Sequence, residues 1–285
     1  MTTIDTPPTT TASNQAATPR ASGAPFGRQV RTLVRRNLIH IKRMPEMLSD
    51  VTIQPVMFVL LFAFVFGGSI QTQGANYREW LLPGIMVQTM AFSSFIVALG
   101  LTNDLEKGVI DRLRSLPIHR AAVLVARSIS SLIHSSIGVV VMGLTGLLVG
   151  WRIHNGVPKA LLAYGLLLLF GFAMIWLGIL VGSTMRSVEA VNGVMFSTMF
   201  PITFLANTFA PSENMPQWLR VIAEWNPISS LAQALRNLWG NGAPAPADAQ
   251  WPLHHPELMV VIWSVGLCLI LAPLALRAFG RRTSA

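Results

Sequence analysis

The stretch Ala160-Leu-Leu-Ala-Tyr-Gly-Leu-Leu-Leu-Leu-Phe-Gly-Phe-Ala-Met-Ile-Trp-Leu-Gly-Ile-Leu-Val-Gly-Ser-Thr-Met185 runs for 26 residues without a charge, between Lys159 and Arg186. A bilayer core of about 30 Å needs roughly 20 apolar helical residues, because unpaired backbone groups are not tolerated in lipid. The stretch therefore predicts a membrane-crossing helix. Working outward from it, five more uncharged windows appear: Val51–Tyr77, Trp80–Asn103, Ser128–Trp151, Ala190–Ser212 and Leu258–Leu276. Each is long enough to cross once, the first from about Val51 to Ile70, so the expectation is an all-α integral membrane protein with six transmembrane helices. The interior prolines Pro55, Pro83, Pro201 and Pro273 are compatible with such helices, since neighbouring groups resatisfy the freed carbonyls. Of the 285 residues, 52% are hydrophobic and 12% charged, against about 25% charged in soluble domains. An ordinary soluble enzyme is excluded.

Basic residues orient the spans. With six crossings both termini share a side, and the N-terminal arm, the loop after span two, Arg186 and the C-terminus together hold sixteen of the 21 Lys and Arg. The opposite side holds Arg78, Arg152, Lys159, Arg220 and Arg236. The asymmetry predicts a multi-pass protein of the cell membrane with both termini cytoplasmic. It also accounts for the net charge of +9 without nucleic acid. One cysteine, Cys268, offers no intrachain disulfide and no zinc spacing. Residues 1–25, rich in Thr, Pro, Ser and Ala with no apolar core, read as a disordered cytoplasmic tail rather than a signal peptide.

Residues 26–48 combine Val30, Leu33, Val34, Leu38 and Ile41 with interleaved arginines, a basic amphipathic helix suited to an anionic membrane surface, and Pro45 breaks it from span one. It is read either as a plain anchor or as a contact for a cytoplasmic partner. Between spans two and three lies Asn103-Asp-Leu-Glu-Lys-Gly-Val-Ile-Asp-Arg-Leu-Arg-Ser-Leu-Pro-Ile-His119. Gly108 permits a sharp change of direction, Val109, Ile110, Leu113 and Leu116 predict a short amphipathic helix, and Pro117 ends it. Such a segment is either a rigid peg that transmits motion from a soluble partner or an ordered turn whose charges enforce topology. Beyond span five, Met215, Trp218, Leu219, Ile222 and Trp225 recur at helical spacing after Pro216, and Asn226-Pro227 breaks the pattern. Two short helices lying at the outer interface are expected there, serving as a gate over a pathway or as an anchor.

No span contains Asp, Glu, Lys or Arg, and the one histidine inside a span, His134, has no acidic partner there. A buried catalytic constellation is missing, and the lack of intramembrane carboxylates argues against an ion-coupled carrier. None of Lys42, Lys107 and Lys159 closes a Gly-x-x-x-x-Gly-Lys-Ser/Thr phosphate loop. Any nucleotide chemistry belongs to another polypeptide. Span five places Phe196, Phe200 and Phe204 four apart on one face with Met195 and Met199 on the adjacent flank, and span two offers Phe92 among Met86, Gln88 and Thr89. Such a surface is suited to planar apolar molecules, or to ordinary helix packing.

The pattern Glu106-x-Gly108-x-x-Asp111-x-Leu113-x-x-x-Pro117, followed by Phe209-Ala-Pro-Ser-Glu-Asn-Met-Pro216-Gln-Trp218-Leu219, Trp225-Asn226-Pro227 and Ala234-Leu235-Arg236, resembles the type-2 ABC exporter permeases, and among them the daunorubicin-resistance, DrrB-like subgroup. The resemblance covers about residues 28–280, with residues 49–280 as the permease domain. It implies that Glu106, Gly108, Asp111, Arg112, Leu113 and Pro117 form the segment that docks on a separate ATPase. It implies further that spans two and five line a dimer interface. Two permeases and two ATPases would then work together, ATP and magnesium being bound by the partner and no cofactor by this chain. Phe92, Met195, Phe196, Met199, Phe200 and Phe204 are expected along the substrate pathway, and Met215, Pro216, Trp218, Asn226 and Pro227 at the outer gate. The expected function is export of a hydrophobic or amphipathic compound such as an antibiotic. Export of a lipid-linked glycan or lipid is the alternative, and a non-transporting scaffold or sensor is the alternative from another class.

Overall fold

The computed structural model describes residues 25–43, 45–66, 77–109, 119–242 and 244–282. The expected tail, and the coupling residues Asp111, Arg112, Leu113 and Pro117, lie outside the described residues. Helices account for nearly all the described secondary structure: α1 (Phe26–Arg43), α2 (Pro45–Leu61, continued by a π-helical turn at Phe62–Phe66), α3 (Tyr77–Glu106), α4 (Arg120–Val149), α5 (Gly156–Thr184), α6 (Val188–Phe204), α7 (Gln217–Trp225), α8 (Pro227–Trp239), the single turn α9 (Trp251–His254) and α10 (Pro256–Arg282). Among the described residues, α3, α4, α5 and α10 are long and apolar enough to cross a membrane. The other two predicted spans are shorter helices. α6 stops at Phe204, eight residues before the end of its uncharged window, because the chain from Leu205 to Thr208 turns to supply backbone carbonyls to α8.

α3 is the axis of the bundle. Thirty residues long, it spans about 45 Å at 1.5 Å per residue and contacts α4, α5, α6 and α8. Its closest partner is α5, which meets it through glycines. A Cβ at position 178 would lie 2.1 Å from the Ser94 carbonyl oxygen, and one at position 182 would lie 2.7 Å from that of Ala98. In lipid, where hydrocarbon competes equally for apolar side chains, small residues that let backbones touch are the main source of helix association. Ser94 and Thr102 on the α3 side bond the Ala91 and Gly182 carbonyls, so the seam carries no loose hydroxyl at these two positions. α10 closes the other side of α5 by packing Leu271, Ala275 and Phe279 against Ile175, Trp176 and Ile179.

The amphipathic α1 ends at Arg43 and Pro45 opens α2, as the proline predicts. Leu33 is buried against Ala122 and Ala126 of α4, while Arg28, Arg31, Arg35 and Arg36 are exposed. Gln29 accepts a hydrogen bond from the His119 amide at 2.9 Å, and Asn37 donates to Ser130 at 3.3 Å. α1 is thus seated on the root of α4 and carries its cationic face outward.

The helices expected between Ser212 and Gly240 are present, but only one lies at a surface. α7 exposes Trp218, Ile222 and Trp225 along one side. α8, in contrast, has eleven of its thirteen residues buried and is inserted among α3, α5 and α10. The expectation of two interfacial helices is corrected here. Several polar residues of α8 that suggested a wet surface find partners inside the protein, Ser229 accepting from the Asn207 amide at 3.0 Å and Gln233 donating to Asn237 at 3.0 Å.

Gly178→Ala should lower the melting temperature of the detergent-solubilised protein by several degrees, since overpacking against a backbone costs about 1–3 kcal/mol. Gly165→Ala in the same helix meets nothing within 4 Å and should leave the melting temperature unchanged or raise it.

Candidate functional site

Polar chemistry collects at two opposite ends of the bundle, joined by an aromatic face. At the first end α3 runs out at Glu106, and Gly108 adopts φ +65°. That left-handed conformation strains any residue with a Cβ and turns the chain away from the helix axis. Asp104, two residues earlier, pairs with Arg127 of α4, which pins together the two helices that hold the 107–119 connection. The Glu106 carboxylate accepts the backbone N–H of Val188, the first residue of α6, at 3.1 Å. Arg282, at the end of α10, donates to the Gly182 carbonyl at 2.9 Å and to that of Met185. Four helix ends therefore meet where the predicted coupling segment begins.

α6 leaves this junction nearly alone. Only Val191, Met195, Met199 and Thr203, one per turn, are buried, and they face α3. The Met199 sulfur accepts from the Ser94 hydroxyl at 3.6 Å. Met195 and Met199, read from the sequence beside the phenylalanines, thus sit on the inward face. Phe196, Phe200 and Phe204 are 56%, 43% and 45% exposed. They stack in series, with ring centroids 5.5 and 4.2 Å apart. The series extends further than the sequence indicated. Phe95 of α3 meets Phe196 edge-on at 6.3 Å. At the other end Phe209 meets Phe204 at 5.2 Å, Phe62 stacks on Phe209 at 4.9 Å, and Phe58 follows at 5.9 Å. Seven phenylalanines thus form one continuous track from α3 along α6 to α2, reaching α2 at its π-helical turn, a distortion often found at functional positions. Phe92 is half-buried and packs on the main core, and His134 is buried within α4.

The opposite end is organised by Arg236 of α8, which is completely buried. Its guanidinium stacks on the Trp80 ring with 3.6 Å to the centroid. It donates to the carbonyls of Trp80 at 3.0 Å, Asn207 at 2.9 Å and Thr208 at 3.4 Å. Gly84 lets the Thr208 backbone reach α3, since a Cβ there would lie 2.5 Å from the Thr208 oxygen. Tyr77 adds a bond to the Phe209 carbonyl at 3.2 Å. One side chain therefore ties α8, the start of α3 and the turn after α6. A signal for it exists in the sequence: Arg236 is the single charge between Glu224 and Asp248.

Of the residues expected at a gate, Asn226 caps α8 by accepting from Ile228 at 2.9 Å and donates to the Ile202 carbonyl at 2.7 Å, which links the α7–α8 corner to α6. Pro227 is the first residue of α8, Pro216 precedes α7, Trp218 is exposed and Met215 is half-buried. The buried Glu224 carboxylate accepts from Arg220, from Ser212 and from the Gln250 amide. Arg220 also holds Asp248 with two bonds of 2.7 and 3.0 Å, and this keeps the Asp248 carboxyl below its usual pKa.

Four of the described helices are long and apolar enough to cross a membrane, which defines an integral membrane protein, and residues 28–238 match the ABC-2 type transporter family. The chain belongs to that family. It is 29% identical over 249 residues to the daunorubicin resistance ABC transporter permease protein DrrB1 of Streptomyces coeruleorubidus, covering 87% of this chain and 85% of that one. It is 25% identical over 285 residues to the doxorubicin resistance ABC transporter permease protein DrrB of Mycobacterium tuberculosis, covering 94% and 97%. It is also 26% identical over 222 residues to a putative transport permease, ycf38, of Cyanophora paradoxa, covering 76% of each.

Arg236→Lys keeps the charge but loses the planar stack and the fork of donors. The expected outcome is destabilisation by about 2 kcal/mol or more, read as a lowered thermal midpoint in detergent with unchanged membrane insertion.

Proposed function

We propose that this chain is the membrane subunit of an ATP-driven exporter of hydrophobic or amphipathic drugs, powered by a separate nucleotide-binding subunit. The observation that carries the reading is the continuity of α6, whose first residue is held by Glu106 beside the coupling segment and whose open face bears the stacked phenylalanines. The family membership supports an ABC ATPase as the partner. The resistance functions in the names of the relatives support a planar, apolar cargo.

In this reading the chain crosses the membrane six times, α2 with its π turn and α6 acting as the two short spans, and both termini are cytoplasmic. Residues 1–25 are a tail, α1 at residues 26–43 is the surface helix, shorter than the 26–48 expected because α2 already begins at Pro45, and the permease domain follows to about residue 280 in the cell membrane. Gly108, Asp111, Arg112, Leu113 and Pro117 couple to the ATPase, which binds ATP and magnesium, and Glu106 stands at the root of that segment. Two copies of the chain pair through their α6 faces, so that the phenylalanine tracks enclose the pathway between them. Rings offset-stack with polycyclic cargo for about 0.5–1.5 kcal/mol per pair beyond area burial, an attraction weak enough for release. Arg236 and Asn226 hold the hairpin that forms the outer gate.

The test is reconstitution of the permease with its nucleotide-binding partner in vesicles and measurement of ATP-dependent daunorubicin movement. Transport that needs ATP and the partner is expected, with Phe200→Ala reducing it about three- to tenfold and Phe200→Trp retaining it. Movement of cargo by the permease alone, or stimulation of ATP hydrolysis by lipid-linked glycans and not by planar drugs, would overturn the reading. Gly108→Pro imposes φ near −65° where the chain needs +65°. It should leave insertion intact and abolish transport in the same assay.

A further inference from the structure

We infer that Glu106 is a positioning residue that acts inside this chain, holding the first turn of α6 to the end of α3 so that displacement of the coupling segment is delivered directly to the phenylalanine track. The inference rests on the exporter reading above and departs from it at one point: the side chain of Glu106 serves an internal joint instead of a contact with the ATPase.

The first amides of a helix have no partner within it, and a carboxylate placed there is further favoured by the helix dipole. α6 meets this need in two ways. Ser187 accepts the Ala190 amide at 3.2 Å, the ordinary local cap. The Val188 amide is left over, and it is taken by Glu106 from another helix, 82 residues away. The bond is charge-assisted and directional, and α6 makes few other attachments at this end. The surrounding joints are of a different kind. Thr102 and Arg282 close the carbonyls at the end of α5, Gly182 from both and Met185 from Arg282, and Arg127 with Asp104 fastens α4 to α3. α5 is locked to α3 by backbone contact along the glycine seam. α6 has no such seam, and at this end it follows α3 through the Glu106 bond. A tilt of the last turn of α3, where the coupling segment is rooted, therefore pulls on the start of α6. Being one continuous helix, α6 carries the shift to Phe196, Phe200 and Phe204, all within its length.

Two substitutions on opposite sides of the bond test this. Glu106→Ala removes the acceptor. Val188→Pro removes the donor, at the first helical position where proline fits, after Ser187 whose extended backbone (φ −140°, ψ 158°) is what a following proline requires. Glu106→Gln keeps an oxygen that accepts the amide. Permease and nucleotide-binding subunit are co-reconstituted in vesicles, and three quantities are read: retention of the subunit, its ATP hydrolysis, and drug moved per ATP. The expected result is that Glu106→Ala and Val188→Pro retain the subunit and its hydrolysis within about twofold while drug moved per ATP falls about tenfold. The double variant should be no worse than either single one, and Glu106→Gln should keep most of the transport. Wild-type drug-to-ATP ratios in both single variants would overturn the inference. So would loss of the subunit in Glu106→Ala and Glu106→Gln with Val188→Pro unaffected, which is the pattern of a docking contact. Failure of the wild-type pair to transport would instead sink the exporter reading itself.

Discussion

A bilayer interior offers no hydrogen bonds, so backbone groups and most polar side chains within it are answered by another part of the protein. The arrangement of the molecule follows from that single constraint. The long helices are free of charge through their middles, the guanidinium and carboxylate chemistry is drawn to two opposite poles, and the space between is spanned by glycine contacts, locally bonded hydroxyls and aromatic rings. Arg236 is the extreme case. A fully buried guanidinium is costly to desolvate, and here it is stacked on Trp80 and divided among three carbonyls, which turns a liability into the fastener of the α8 hairpin.

The two poles are built for different work. At the Arg236 pole, ties run through side chains and backbone in several directions at once: the buried pair Trp151 to Asn241, and at the surface Asn155 to the Asn237 carbonyl and His154 to Glu79. Such redundancy resists opening by small steps. At the Glu106 pole each helix end is held by one or two side-chain bonds, and α6 by very few. A joint of that kind moves without unfolding its neighbours. In the exporter reading proposed above, the lightly fastened pole is the driven side and the multiply fastened one is the gate.

Much of this was legible from local patterns. The uncharged windows located the apolar helices, Pro45 separated α1 from α2, and Pro216 and Asn226 bracketed α7, because each of these features depends on a few adjacent residues. What escaped was non-local. The serines, Gln233 and Arg236 made 227–239 read as a surface helix, and only the approach of Trp80 and Asn207 from distant segments makes its burial possible. Met195 and Met199 share a helix with Phe196 and Phe200, yet one pair turns inward and the other outward, a choice set by where α3 lies. The link from Glu106 to Val188 joins residues far apart in sequence, and no motif announces it.

The open face of α6 has an evolutionary reading. Phe196, Phe200 and Phe204 contribute mostly to one another and little to the packing of the subunit, whereas the inward residues of the same helix are tightly enclosed. Replacing an outward ring therefore leaves the fold's foundations undisturbed. Under the exporter reading proposed above, a lineage of such proteins drifts from one cargo to the next by exchanging a handful of rings, each variant remaining folded while its chemical appetite changes.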